Sequence, residues 1–398
     1  MPGTAARGWT AARVTRRSSP ATGTRLWTRC WARSPSAGPG ITAVGAGVAW
    51  RPRDAELGVA AATMSPGLAK MTARAAAAVP FTPGAALVGE LAGITLTGRR
   101  LGRHAEADGA AAAAAIEQQA TAITARTLVP LPPPMPRPDK LYIAIDGTGV
   151  PMRAAETEGR DGKGEGGKAR TREVKLCCCF TQTSVDERGR PVRDPGSSSY
   201  LATFAPAAAF GTLMAAEARR RGAGHIRQLT ILGDGAAWIW NLATQHFPQA
   251  TQIVDLYHAR EHLHELAKLL EFMLGSHRED WLTARLGELD AGDIPAICAA
   301  AHAFPLTGRK ADDLKTALGY FEHNAHRMRY QHFRSLGMFI GSGAVEAGCK
   351  AVIEQRLKLS GMHWSTPGAT GILTLRCQQA SGQWEEIWPP PHNRTGAA

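Results

Sequence analysis

Leu141-Tyr-Ile-Ala-Ile145 runs straight into Asp146, and Gly147-Thr-Gly149-Val-Pro151 follows. Five residues of strand-type composition, an acid, and then Gly-x-Gly with a proline beyond it predict a buried strand that delivers a carboxylate to a turn. Left unpaired there, the carboxylate costs on the order of several kcal/mol in desolvation, so it requires a cation or strong donors. A tight turn in which Asp146 caps the N–H groups of the two glycines is one local solution. Two further acids favour a cation.

Leu229-Thr-Ile-Leu-Gly-Asp234-Gly235 repeats the device: an apolar run, an aspartate, a glycine. Glu346 stands in the first turn of a predicted helix, behind Gly341-Ser342-Gly343, which lets the backbone approach closely. Three carboxylates 88 and 112 residues apart, two from strands and one from a helix, suit a hard divalent cation such as Mg²⁺ or Mn²⁺. Two such ions, about 3.5–4 Å apart, polarise a scissile phosphate and activate an attacking water or 3′-hydroxyl. Taken alone, Glu346 also reads as a surface acid paired to Lys350 one helical turn on.

Around these acids, strands are expected at 141–146, 174–182, 200–204, 228–233 and 251–256, with a helix at 206–221, which argues for an α/β domain. The glycine-rich, charged segment 154–171 predicts a hairpin tip whose Lys163, Lys168 and Arg170 either track a backbone or are simply solvated. From 260 to 337 the apolar spacing is helical. A last helix is expected over 344–360, with Val345, Cys349, Val352, Ile353 and Leu357 on one side.

The chain has 398 residues, 44% hydrophobic and 20% charged, enough for two or three domains. A net charge of +12 and a pI near 9.7 point to a polyanionic partner, nucleic acid first. No apolar run reaches the roughly 18 residues that span a bilayer, and no apolar signal core opens the chain, so a cytoplasmic location is expected. None of the seven cysteines forms a C-x-x-C pair, which argues against a zinc ribbon or a disulfide framework. Cys177, Cys178 and Cys179 alternate faces of one strand and read as small buried hydrophobes.

Residues 1–53 hold nine arginines, four tryptophans and neither lysine nor acid, without sustained periodicity. They read as a disordered basic segment, either an arm for DNA phosphates or text from a misassigned start or shifted frame. Residues 54–129 read as helical. A helix with apolar Ala86, Leu87 and Leu91, a turn at Gly93, and a second helix with Leu101 inward and Arg99, Arg100 and Arg103 outward form a helix-turn-helix pattern. Those arginines would face phosphates or base edges, although a plain helix pair with a solvated basic face gives the same pattern. The proline-rich stretch 130–140 predicts a stiff linker.

Several blocks, in this order, resemble the DDE transposases of bacterial insertion sequences, particularly the ISKra-type family. They are Ile145-Asp146-Gly-Thr-Gly-Val-Pro-Met152, Thr171-Arg-Glu-Val-Lys-Leu176, Gly233-Asp234-Gly-Ala-Ala-Trp238-Ile-Trp240-Asn241, Asp255-Leu-Tyr-His258-Ala-Arg-Glu-His262, Gly341-Ser-Gly-Ala-Val-Glu346-Ala-Gly-Cys-Lys350 and Ser360-Gly-Met-His-Trp364. The resemblance covers roughly 54–388. It implies an RNase H-like core over 141–258, a helical insertion over 259–337, completion of the core over 338–388, and a disordered tail at 389–398. It also implies that Asp146, Asp234 and Glu346 hold two Mg²⁺ or Mn²⁺ ions for strand cleavage and transfer at terminal inverted repeats. His258, from Asp255-x-x-His258, would lie near the scissile phosphate as a catalytic residue. Lys350, Arg356 and Lys358 would contact phosphates, and Trp364 would stack on an unpaired base or simply pack. The implied partners are double-stranded DNA and further copies of the chain, as a homodimer or higher oligomer in a synaptic complex. In one departure from the family, the cysteine-containing segment expected before Asp54 is replaced by unrelated text.

Other readings compete. His258-Ala-Arg-Glu261-His262 fits H-x-x-E-H, an inverted zinc-protease motif with Glu261 as general base, but it leaves Asp146 and Asp234 unexplained. A sugar-kinase or actin-like ATPase would need a second glycine-rich phosphate hairpin after Gly235. The non-enzymatic alternative is an inactive transposase relic that still binds DNA.

Overall fold

The structure, a computed structural model, describes residues 64–132, 135, 137–162 and 167–388. The basic segment 1–53 with Cys30, part of the proline-rich stretch, Lys163 and the tail 389–398 lie outside the described residues. Gly67–Ala398 forms one compact unit, so the N-terminal helices and the sheet belong to the same body.

Three helices lead: α1 (Pro66–Ala78), α2 (Phe81–Ala92) and α3 (Gly98–Thr124). The turn between the last two is set by Gly93 in the left-handed region and by Thr97, whose hydroxyl accepts from the Arg100 N–H at 3.2 Å. Helix, turn and helix therefore occur where expected, but α2 does not dock through its larger apolar residues. It docks through Gly84, Ala85 and Val88, while Ala86, Leu87 and Leu91 are exposed. The small residues let α2 approach α1, since a β-carbon on Gly84 would already stand 3.3 Å from the Ala75 carbonyl oxygen.

Next comes a hairpin of β1 (Lys140–Pro151) and β2 (Thr171–Gln182), paired antiparallel from Lys140↔Gln182 to Pro151↔Thr171. The short strands β3 (Ser184–Val185) and β4 (Pro191–Val192) form a separate pair. β5 (Ser199–Thr203) joins β2, α4 (Ala207–Arg220) follows, and β6 (Gln228–Gly233), α5 (Ala237–His246) and β7 (Thr251–Val254) complete a mixed five-stranded sheet of order β5-β2-β1-β6-β7. β6 lies parallel to β1, and β7 parallel to β6. Leu141 to Ile145 and Cys177 to Cys179 are all buried, as strands covered on both faces must be.

The expected turn at Gly147-Thr-Gly149 is instead strand. β1 continues to Pro151, and its two glycines make room for the Glu173 and Thr171 side chains of β2.

Between β7 and Glu346 stand α6 (Leu256–Leu269), α7 (Glu271–Leu274), α8 (Arg278–Ala291), α9 (Ile294–His302), α10 (Arg309–Asn324) and α11 (Tyr330–Ser335). The expected last helix is broken into α12 (Gly343–Gly348), a π-helical stretch Cys349–Glu354 and α13 (Gln355–Leu357). Beyond it lies a helix that periodicity did not reveal, α14 (Thr366–Ala380), started by the Ser365 hydroxyl and Pro367. It crosses α3 where Gly109 meets Gly371; a β-carbon on either would overlap the other helix's backbone. No helix among the described residues is long and apolar enough to cross a membrane.

Candidate metal centre

Acids stand at or just past the ends of the parallel strand pairing. β1 pairs with β6 from Lys140↔Gln228 to Ala144↔Leu232, and Asp146 and Asp234 each stand two residues past that last pair on their own segment. β6 pairs with β7 as far as Gly233↔Val254, and Asp234 and Asp255 are the next residue of each segment. All three acids thus come at or just past the last paired residues of adjacent strands. Asp146 sits where β6 stops and β1 continues with β2 alone. Its Oδ1 accepts from the Gly147 N–H at 2.6 Å, and the Asp234 Oδ1 accepts from the Ala236 N–H at 2.9 Å, so both also cap their local backbone.

α12 lies over this edge. The Cys349 thiol donates to Asp146 Oδ2 at 3.2 Å, one turn beyond Glu346. Burial first and then the Asp146 charge push that thiol's pKa well up, so it remains a donor. Glu346 is exposed and accepts from the Ser342 hydroxyl at 2.8 Å; among the described residues no ion pair joins it to Lys350.

Among the described residues, one group of potential ligands gathers with all ligand atoms within 4.8 Å of one another: Asp255, His258 and Glu346. This group could hold a metal ion. Asp146 and Asp234 stand outside it, so Glu346 converges on the β7 acid rather than on the two expected partners. Asp255 is fully buried and caps α6, accepting from the His258 N–H at 2.9 Å and from the Ser342 N–H. Burial opposes its ionisation, but the His258 side chain, then those donors, outweigh burial and hold its pKa below the ordinary carboxylate value. The neighbouring Asp255 carboxylate, against the opposing effect of burial, lifts His258 to about 9, with Glu261 and Asp234 adding to the rise. Nδ1 of His258 lies 3.4 Å from Asp255 Oδ1, an ion pair when the ring is protonated, but makes no aligned hydrogen bond beside the two carboxylates. That nitrogen and the oxygen-rich donor set fit a divalent cation.

Asp234 is tied to the helical insertion. The Tyr320 hydroxyl donates to its carbonyl at 3.0 Å, and the Tyr320 ring stacks on His262 with centroids 3.6 Å apart. His262 is therefore occupied by Tyr320 and stands outside the ligand group, so the H-x-x-E-H histidines are not gathered around a common third ligand.

The remaining expected contacts divide. Arg99, Arg103 and Lys350 are exposed, and Arg100 is half-buried. Lys358 reaches Thr148, just past Asp146, and Glu354 at 3.0 Å. Arg356 corrects the expectation of a phosphate contact: it is fully buried, donates to the Ala76 carbonyl at 2.9 Å, and lies between the rings of Phe81 and Trp364. Burial, with Arg376 nearby, lowers its pKa to about 10. Trp364 is also buried, its N–H donating to the Leu357 carbonyl at 3.0 Å, so it packs rather than offering a face to a base.

Asp255 is the residue that sequence reading undervalued. Its signal was present, an acid directly after Thr251–Val254, but carrying that strand to 256 placed the acid inside it. Comparison with protein-family models and with curated proteins finds no match.

Proposed function

We propose that the chain is a metal-dependent DNA strand-transfer enzyme of the DDE transposase type, cutting and joining strands at the ends of an insertion sequence. The observation that carries this reading is the gathering of Asp255, His258 and Glu346 within 4.8 Å of one another, with Asp255 directly after β7, Asp234 directly after β6 and Asp146 on β1 two residues past its last pair with β6. An RNase H-like reading of the core is supported by a hairpin extended by β5 on one side and by two strands parallel to β1 on the other. Exposed Arg99, Arg103 and Lys350 and the basic balance support DNA as the partner.

In this reading Asp255, Glu346 and His258 hold one Mg²⁺ or Mn²⁺ ion, and Asp146 and Asp234 hold a second. Such ions, when bound by these residues, would supply Lewis-acid polarisation of a phosphodiester and charge neutralisation at its attacking and leaving oxygens. The protein's own contribution is to orient its acids and, at Asp255, to favour the ionised form. Ser342 and the His258 backbone fix Asp255, Cys349 fixes Asp146, and Tyr320 fixes the Asp234 loop. Ligation requires His258 to give up its proton, which couples metal affinity to pH.

The test is cleavage, by the purified full chain, of DNA carrying the element's terminal repeats in Mg²⁺ or Mn²⁺. Asp146→Asn should reduce cutting by roughly 10²–10³-fold, the loss typical of removing one transition-state-stabilising group, while DNA binding persists. Cleavage unaltered in that variant would refute the reading; binding without any cleavage by the unaltered chain would favour the relic.

A further inference from the structure

The large exposed aromatic side chains among the described residues are Tyr257 and Phe272, and Tyr257, 60% exposed, adjoins the metal centre. It stands in the first turn of α6 between fully buried Asp255 and His258. Its ring is placed rather than merely free. Cε2 and Cδ2 lie 3.1 and 3.3 Å from where a β-carbon on Gly341 would stand, so any side chain at 341 would press on the ring. That same point is 3.7 Å from Asp255 Oδ2, so ring edge and metal-capable carboxylate are no further apart than those two short distances together.

A cation completes the platform. The Arg260 guanidinium lies 6.0 Å from the Tyr257 ring centroid and is held by Asp290 at 2.9 and 2.8 Å. Asp290 also receives Arg334 at 3.3 Å, which adds a second hold on that acid. An aromatic face with a fixed guanidinium beside it suits the π-face of a nucleobase. A nucleotide carries its base one sugar ring away from its phosphate, which is the scale of the gap between Tyr257 and Asp255.

We propose that Tyr257 is the platform on which an unpaired nucleobase stacks while the adjoining phosphate lies at Asp255, His258 and Glu346. The inference rests on the phosphodiester reading above and assigns the stacking role to Tyr257, since Trp364 is buried.

The test uses the full chain and single-stranded oligonucleotides carrying one 2-aminopurine at successive positions, in Ca²⁺ to avoid turnover. Stacking on an aromatic ring quenches that base. The unaltered chain and Tyr257→Phe should quench at one position. Tyr257→Ala should lose most of that quenching and bind roughly tenfold more weakly, within the range for one base–aromatic stack. Exposure of the ring lets this variant keep its fold, which its melting profile checks. Equal quenching and affinity in Tyr257→Ala, or DNA bound with no position quenched, overturns the platform and leaves the metal-dependent reading standing. No DNA binding by the unaltered chain overturns both.

Discussion

Asp255 and His246 show how burial acts on single groups in this chain. The Asp255 pKa is held below the ordinary carboxylate value against burial by the His258 side chain and by backbone N–H groups of His258 and Ser342 aimed at it, whereas His246 has no comparable help. Its Nε2 is buried without a partner, and burial, then the Arg219 charge, lowers its pKa from 6.5. The sign follows from linkage. With the folded pKa below the unfolded one, the unfolded chain binds the proton first, so stability is whole above about pH 6.5 and is lost as pH falls toward the folded value. Urea midpoints between pH 7.5 and pH 5 should therefore decline, and His246→Gln should flatten that decline. An identical pH dependence in the variant would remove His246 as a contributor.

At the scale of elements, the joint between the helical insertion and β6 is the one most open to measurement. Gly235 has φ +103°, and a β-carbon there would lie 2.5 Å from Tyr320 Cε2. Tyr320→Phe removes only the hydroxyl's bond to the Asp234 carbonyl and should cost about 0.5–1.5 kcal/mol. Gly235→Ala adds backbone strain of roughly 1–3 kcal/mol to the overlap. The account expects that penalty to shrink, without vanishing, in a Tyr320→Ala background, since the overlap goes and the φ remains. Additive effects in urea denaturation would mean that Tyr320 does not press on this turn.

The same scale explains what the sequence disclosed. β6 was read at its observed limits because an apolar run ending in Gly-Asp-Gly is unambiguous. β1 was cut short because Gly147 and Gly149 signal a turn by themselves, and only Glu173 and Thr171 across the hairpin explain them as strand residues. α14 escaped notice because it is buried nearly all round, from Gly368 to Gln378, and a helix without a polar face has no 3.6-residue pattern. The leucines of α2 do not mark its docking face: docking through glycine and alanine leaves the larger apolar residues outside.

Across the whole molecule, α3 and α14 close on each other at Gly109 and Gly371, and α1 and α2 meet the end of the chain's broken helix through the Arg356 guanidinium. Such contacts join residues hundreds of positions apart, and no local pattern announces them. Part of the site was legible: two acids at strand ends and a helical one stood out in the text, and the helical one, Glu346, belongs to the gathered ligand group. Their third companion was not, because convergence of Glu346 on Asp255 depends on where the Gly341–Gly343 loop enters, which is a property of packing. The central claim is that these acids gather divalent cations. Crystals of the full chain soaked in Mn²⁺ and measured for anomalous scattering test it most directly. The account predicts a peak bounded by Asp255, His258 and Glu346, at roughly 2.0–2.2 Å from their ligand atoms, and a second peak at Asp146 and Asp234. A map without a peak at either place, in crystals that bind Mn²⁺ elsewhere or not at all, would contradict it.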